Sequence, residues 1–167
     1  GKHMTVVPVA IDQDPFIRLT RDIAEHKEFN FMKPAALHAK FLPSLYGGEK
    51  MSSSDSENSV IYLSDTQSEV KNKINKYAFS GGRDTLEEHR KYGGNPEVDV
   101  SFQYLKMFFE PDDKKLKKIE EDYRSGKLLT GELKKILIDK INDFLKQHQL
   151  NRKKAEKIVD KFMLKNQ

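Results

Sequence analysis

The 167-residue sequence contains no cysteine. That absence excludes a disulfide framework, a thiolate nucleophile and a zinc site built on cysteine. An intracellular compartment fits such a chain. Long apolar runs are missing too: none approaches the ~20 residues that a membrane span requires. Gly1-Lys2-His3-Met4 lacks the apolar stretch of a secretory signal. The five histidines are scattered, and Glu87-Glu88-His89 does not have the two-histidine helical spacing of a zinc hydrolase. No dedicated metal site is expected.

What the sequence does have is charge, 34% of residues against 37% hydrophobic, as expected of a helix-dominated chain with long solvated faces. The net charge of +4 is uneven. Residues 1–60 carry 7 Lys/Arg and 8 Asp/Glu, whereas residues 61–167 carry 23 and 18. The basic remainder is compatible with RNA, and equally with a solvated Lys/Glu surface.

Residues 5–10 (TVVPVA) form a β-branched run with no polar break, the pattern of a strand buried on both faces. Pro8 points to an edge or an irregular start. Asp14-Pro15 places an N-cap acid before a proline in the first helical turn. Phe16, Leu19, Thr20 and Ile23 then predict a helix to about residue 28. Residues 30–66 read as loops and short pieces, with a brief strand over 60–63.

From Thr66 onward the periodicity is helical. Helices are predicted along Val70, Ile74 and Ala78, after Asp84 or Thr85, over 98–109, after Asp112, after Thr130, and along Ala155, Ile158, Val159 and Phe162. The chain is mostly α, and its composition changes near Thr66. A lone buried strand cannot make a parallel sheet, so the amino-terminal segment reads as part of something larger.

Two segments carry candidate chemistry. In Ala10-Ile11-Asp12-Gln13-Asp14-Pro15-Phe16, a carboxylate and an amide sit where a strand turns into a helix. They can bind a ribose hydroxyl or an ammonium, and the helix start favours a phosphate or carboxylate. The competing reading is a capped turn in which both side chains satisfy backbone donors. In Lys50-Met51-Ser52-Ser53-Ser54, preceded by Gly47-Gly48, a point charge and three hydroxyls lie on a glycine-flanked loop suited to phosphate. Taken alone, that string also describes a solvated loop.

Together these segments resemble known enzymes. Lys50-Met51-Ser52-Ser53-Ser54 resembles the second signature of class I aminoacyl-tRNA synthetases, and residues 10–24 (AIDQDPFIRLTRDIA) look like the strand-to-helix turn of tryptophanyl enzymes. Residues 76–92 (KYAFSGGRDTLEEHRKY), Gly93-Gly94-Asn95, residues 98–102 (VDVSF) and residues 129–134 (LTGELK) resemble eukaryotic-type tryptophanyl-tRNA synthetases specifically. The resemblance runs from about Val6 to the end.

The resemblance implies the carboxyl-terminal half of such an enzyme. Residues 1–65 would be a remnant of a Rossmann-type α/β catalytic domain, and residues 66–167 an all-helical anticodon-binding domain. Tryptophan would be activated by ATP to the adenylate and transferred to tRNA(Trp). Lys50, Ser52 and Ser53 would serve catalysis, Lys50 stabilising charge on departing pyrophosphate. Asp12, Lys50, Met51 and Ser52 would bind ATP, with Mg2+ as its counter-ion, and Gln13 would bind L-tryptophan. Arg83 and Asp84 would face the anticodon, since arginine stacks on or forks to unpaired bases and a carboxylate accepts from base amino groups. Lys134 is a weaker candidate for that surface. The full-length protein would be a cytoplasmic homodimer without membrane attachment.

Two departures qualify these expectations. Many bacterial loops carry a second lysine where this sequence has Ser53. The first class I signature, His-x-Gly-His, is absent, because none of His3, His26, His38, His89 or His148 has its spacing. The chain alone is therefore expected not to activate tryptophan. The alternative is a stand-alone RNA-binding or signalling module derived from a synthetase body. For Phe79-Ser80-Gly81-Gly82-Arg83-Asp84 the plain structural role, ending one helix and capping the next, holds alongside any contact with RNA. Lys114, Lys115, Lys117 and Lys118 read as a solvated helix face.

Overall fold

A computed structural model describes residues 3–29, 31–48, 50–51 and 56–162. The chain forms two compact units, Gly1–Phe41 and Leu42–Gln167.

In the first unit, β1 (Val6–Ala10) leads through a 3-10 turn (Ile11–Gln13) into α1 (Asp14–Ala24), and the chain returns as β2 (Ala35–Ala39). The strands are parallel, from Val6 opposite Ala35 to Ala10 opposite Ala39. The strand expected to be buried on both faces is not. Val6 is 60% exposed, because among the described residues the sheet has only two strands. Asp14 does not cap the helix. Gln13 holds the cap position without a side-chain bond, and Asp14 pairs instead with Arg18 (2.6 Å) and His38 (3.4 Å). The helix stops at Ala24, short of residue 28. Beyond it Phe29 stacks on Phe31 (centroids 6.0 Å apart), and Arg21 donates to the Pro34 carbonyl at the entry to β2.

The second unit is helical: α2 (Gln67–Tyr77), α3 (Leu86–Tyr92), α4 (Val100–Tyr104), α5 (Asp113–Arg124) and α6 (Thr130–Glu156). The cap on α2 is reciprocal, with the Thr66 hydroxyl accepting from Glu69 N and the Glu69 carboxylate accepting from Thr66 N (2.7 Å). Val70 and Ile74 of α2 pack on Leu133, Leu137 and Ile141 of α6, all essentially buried. Each such side chain contributes roughly 1.5–3 kcal/mol by leaving water. A π-helical turn (Leu105–Phe109) follows α4, and Phe109 meets Phe144 of α6 edge-on at 5.9 Å.

The compact division falls earlier than the composition shift at Thr66, because residues after Leu42 are stitched to the helices. Leu45 is wholly buried in their core. Its carbonyl accepts from Phe79 N (2.7 Å), and its amide donates to Ser59 O (2.8 Å). Tyr104 donates its phenol to Pro43 O (2.7 Å), and burial pushes that phenol well above its ordinary pKa. Where a strand was expected over 60–63, a 3-10 turn (Glu57–Ser59) delivers the buried Val60.

At the start of α6, Leu129 rather than Thr130 holds the cap position, and the Glu132 carboxylate accepts from Leu129 N (2.8 Å). The Thr130 hydroxyl is engaged elsewhere. α6 then runs unbroken to Glu156, so Ala155 belongs to it. Only a short exposed 3-10 turn (Val159–Lys161) stands where a last helix was expected. Among the described residues no helix is long and apolar enough to cross a membrane.

Candidate functional site

Asp12 and Gln13 lie in the 3-10 turn that joins β1 to α1, and both are exposed. The turn ends a parallel strand and begins a helix, at the end of a sheet where open α/β folds bind ligands. Asp14 already occupies part of that positive helix end. Asp12 and Gln13 belong to the first unit, whereas Lys50, Met51, Arg83, Asp84 and Lys134 belong to the second.

Lys50 is exposed, and Met51 beside it is half-buried against the helical core. Met51 N donates to Leu42 O at 2.7 Å. One side of the signature is therefore anchored, and Lys50 beside it is exposed. A tight turn precedes it, in which the Ser44 hydroxyl donates to Gly47 O (2.7 Å) and Gly47 N donates to Ser44 O (3.0 Å). The Phe79 side chain packs against Gly47, where a Cβ would lie 3.4 Å from it. The serines expected to support phosphate, Ser52 and Ser53, lie outside the described residues.

The 79–84 loop is held from several directions. Gly81 N donates to the Asp99 Oδ2 atom (2.9 Å), and Gly81 O accepts from Asn95 N (2.7 Å). A Cβ at Gly81 would come within 1.9 Å of the Asn95 carbonyl oxygen, so no larger residue fits. Ser80 Oγ accepts from Gly82 N (3.0 Å) and donates to Thr130 Oγ1 (3.3 Å). The Arg83 Nε donates to Gly93 O (3.0 Å) while the residue stays exposed, and Asp84 beside it is exposed. Thr85, not Asp84, caps α3, accepting from Glu88 N at 3.2 Å.

Asp99 is the centre of this arrangement and is wholly buried. Its Oδ1 caps α4 by accepting from Ser101 N (2.9 Å) and Phe102 N (3.3 Å). Its Oδ2 takes Gly81 N and the Tyr123 hydroxyl (2.8 Å). Four donors on one carboxylate satisfy a charge that would otherwise be costly to bury. Burial, with the Asp99 charge acting in the same sense, pushes the Tyr123 phenol up to about 12, so it remains a donor at neutral pH. The same hydroxyl lies 3.2 Å from Thr130 Oγ1. His89 packs on the Tyr123 ring (centroids 5.2 Å apart) and meets Leu128 O at 2.9 Å.

Lys134 on α6 is half-buried and donates to Asn75 O in the last turn of α2 (3.2 Å). That is the favourable place for a cation at a helix end. Burial lowers its pKa, and attraction to Asp99 opposes that shift. Lys134 therefore joins α6 to α2 besides lying within reach of the Asp99 charge.

Sequence reasoning missed Asp99, Tyr123 and Thr130 as partners of the loop. The local signal was present only for the cap, since Asp99 precedes a helix. Its bonds to Gly81 and Tyr123 join residues far apart in sequence.

The family described as tRNA synthetases class I (W and Y) matches residues 2–146. A tryptophan–tRNA ligase of Sulfurisphaera tokodaii is 61% identical over 162 residues, covering 96% of this chain and 42% of that protein. The human cytoplasmic tryptophan–tRNA ligase is 54% identical over 160 residues, covering 95% and 33%. The chain thus spans well under half the length of these relatives, and the likeness extends to archaeal as well as eukaryotic enzymes. Among solved structures, a tryptophanyl-tRNA synthetase from Giardia lamblia superposes with a TM-score of 0.87 at 48% identity, covering 98% of this chain and 40% of that one. With the family match running over most of its length, the chain belongs to the class I tRNA synthetases of the tryptophan and tyrosine family.

Proposed function

We propose that the chain supplies the ATP-phosphate loop and the anticodon-facing body of a tryptophan–tRNA ligase. The observation that carries this reading is the pairing, in one compact unit, of an exposed Lys50 beside the core-anchored Met51 with a rigidly held loop presenting Arg83. Lys50 neutralises charge that builds on departing pyrophosphate, and Ser52 and Ser53 add donors beside it. Met51 lies at the adenine, Asp12 orders the ribose, and Gln13 holds the amino or carboxylate group of tryptophan. Mg2+ travels with the ATP phosphates. The tryptophan carboxylate attacks the α-phosphate, pyrophosphate leaves, and the adenylate then acylates tRNA(Trp). No covalent enzyme intermediate is needed. The rate derives from alignment, for which favourable intramolecular cases reach ~7–11 kcal/mol.

Residues 1–65 belong in this reading to the catalytic domain and residues 66–167 to the anticodon-binding domain. Arg83 and Asp84 contact the anticodon, and Lys134 is a weaker candidate for the same surface. The full-length enzyme is a homodimer of the cytoplasm. The test is tryptophan-dependent exchange of pyrophosphate into ATP. Residues 1–167 alone give none, because this sequence lacks His-x-Gly-His, whereas a chain extended through that signature is active. A preference of the extended chain for tyrosine overturns the substrate. Inactivity of the extended chain despite intact binding of tRNA favours a stand-alone RNA-binding module instead.

A further inference from the structure

We propose that Asp99 and Tyr123 are positioning residues for anticodon recognition, fixing the 79–84 loop so that Arg83 is presented ready-made to RNA. The proposal rests on the reading of Arg83 and Asp84 as the anticodon contacts.

A helix cap needs one carboxylate oxygen, and Asp99 Oδ1 suffices for α4. The second oxygen serves another purpose, collecting Gly81 N from the loop and the Tyr123 hydroxyl from α5. Tyr123 is wholly buried and adds two constraints of its own. Its hydroxyl meets Thr130 at the start of α6, and its carbonyl accepts from Gly94 N (2.9 Å). Gly94 follows Gly93, whose carbonyl receives Arg83 Nε. The backbone before Arg83 and the acceptor for its side chain are thus both referred to Tyr123. Arg83 itself is exposed, with only its Nε engaged by Gly93 O among the hydrogen bonds described, on a loop held by these bonds. Such preorganisation strengthens binding by removing the ordering cost from the association step.

The test measures binding of the 167-residue chain to an unmodified tRNA(Trp) transcript and to the same transcript with a changed anticodon. Tyr123→Phe removes the hydroxyl and keeps the ring. Asp99→Asn keeps the shape but sets an amide donor against two donors. The ratio of the two affinities is the readout, because a general loss of structure weakens both transcripts together. Wild-type chain is expected to prefer the correct anticodon. Tyr123→Phe is expected to lose roughly tenfold of that preference, the scale of a hydrogen bond to a charged group, with binding of the changed transcript nearly unaltered. Its melt should stay cooperative, with a midpoint that falls because the buried carboxylate keeps three of its four donors. Asp99→Asn is expected to lose at least as much preference. An unchanged ratio in Tyr123→Phe overturns the proposal, as does an equal loss on both transcripts or an unfolded variant. A wild-type chain with no preference overturns the anticodon reading itself, and that result is separate because it needs no variant.

Discussion

Lys73 and Asp65 form an ion pair of 2.8 Å in which both side chains are about nine-tenths buried. The ammonium also lies 4.7 Å from the centre of the Tyr62 ring. Asp65 Oδ2 accepts from Tyr62 N (3.0 Å), and its carbonyl accepts from Gln149 of α6 (3.1 Å). The pair fastens the connection before α2 to both α2 and α6. Lys73→Met leaves the carboxylate buried without its cation, at an expected cost of about 3–5 kcal/mol. Adding Asp65→Asn removes the orphaned charge and recovers part of the loss. Urea unfolding followed by circular dichroism checks both variants. A single variant within about 1 kcal/mol of wild type would show the pair to be screened like a surface contact.

Glycine positions separate shape from propensity. Gly93 has a φ of 67°, and a Cβ there would come within 1.8 Å of Arg124 O. Gly93→Ala must move α5 or the turn after α3, and it is expected to cost more than about 2 kcal/mol. Gly131, in the first turn of α6, has open space around it and no positive φ. Gly131→Ala is expected to stabilise by roughly 0.4–1 kcal/mol through the unfolded chain. Thermal melts of the two variants should therefore shift in opposite directions.

How much of this was legible in sequence depends on the range of the interaction. The helices announced themselves locally, through the apolar stripe of Val70 and Ile74 and the acid at Asp112, which accepts from Lys114 N and Lys115 N at α5. β2 did not. Ala35-Ala36-Leu37-His38-Ala39 has no β-branched residue, and it is a strand because β1 lies beside it in register. The motif at Lys50 was visible as a string. The support given to Arg83 was not, because Gly81, Asp99, Tyr123 and Thr130 come from four separate parts of the chain. Thr130 shows how distance misleads. Its position suggested a cap, yet its hydroxyl is committed to Ser80 and Tyr123, and Glu132 does the capping.

Acid sensitivity should trace in part to Glu110. Its carboxylate is nearly buried and lies 2.9 Å from Lys140 Nζ. The hydrogen bond from Lys140 is the first cause that holds its pKa below the usual glutamate value, with the Asp112 amide helping against burial. A folded pKa below the unfolded one means that the stabilisation is present above about 4.3 and is lost as pH falls through the folded value. Wild type should therefore exceed Glu110→Gln in stability at pH 7, and the gap should close as pH falls below that range. Denaturation curves across pH 3–7 measure it. A gap that stays constant would mean that Glu110 stabilises by packing alone.

Catalysis by an amino-terminally extended chain should depend on Lys50 in a particular way. An interaction made mainly with charge developing in the transition state lowers kcat when removed and leaves substrate binding largely intact. Lys50→Ala is expected to reduce kcat for pyrophosphate exchange about 10²–10³-fold, as for loss of one oxyanion donor. The KM for tryptophan should move little. A rise in that KM with unchanged kcat would assign Lys50 to ground-state binding instead.

The lysine-rich face of α5 offers a contrast with Arg83. Lys115 lies 4.0 Å from Asp112, and Lys117 lies 4.0 Å from Glu121. These two lysines each have an acid nearby on or next to their own helix, as on a solvated helix surface. A lysine that does contact phosphate contributes about one unit to the dependence of affinity on salt. Replacing Lys114, Lys115, Lys117 and Lys118 together with glutamine should leave that slope for tRNA(Trp) within about one unit of wild type. Arg83→Ala should instead weaken the cognate transcript by about 1–3 kcal/mol and spare one with a changed anticodon. A slope that falls by three or four units in the quadruple variant would place the RNA backbone along α5 and make that helix part of the binding surface.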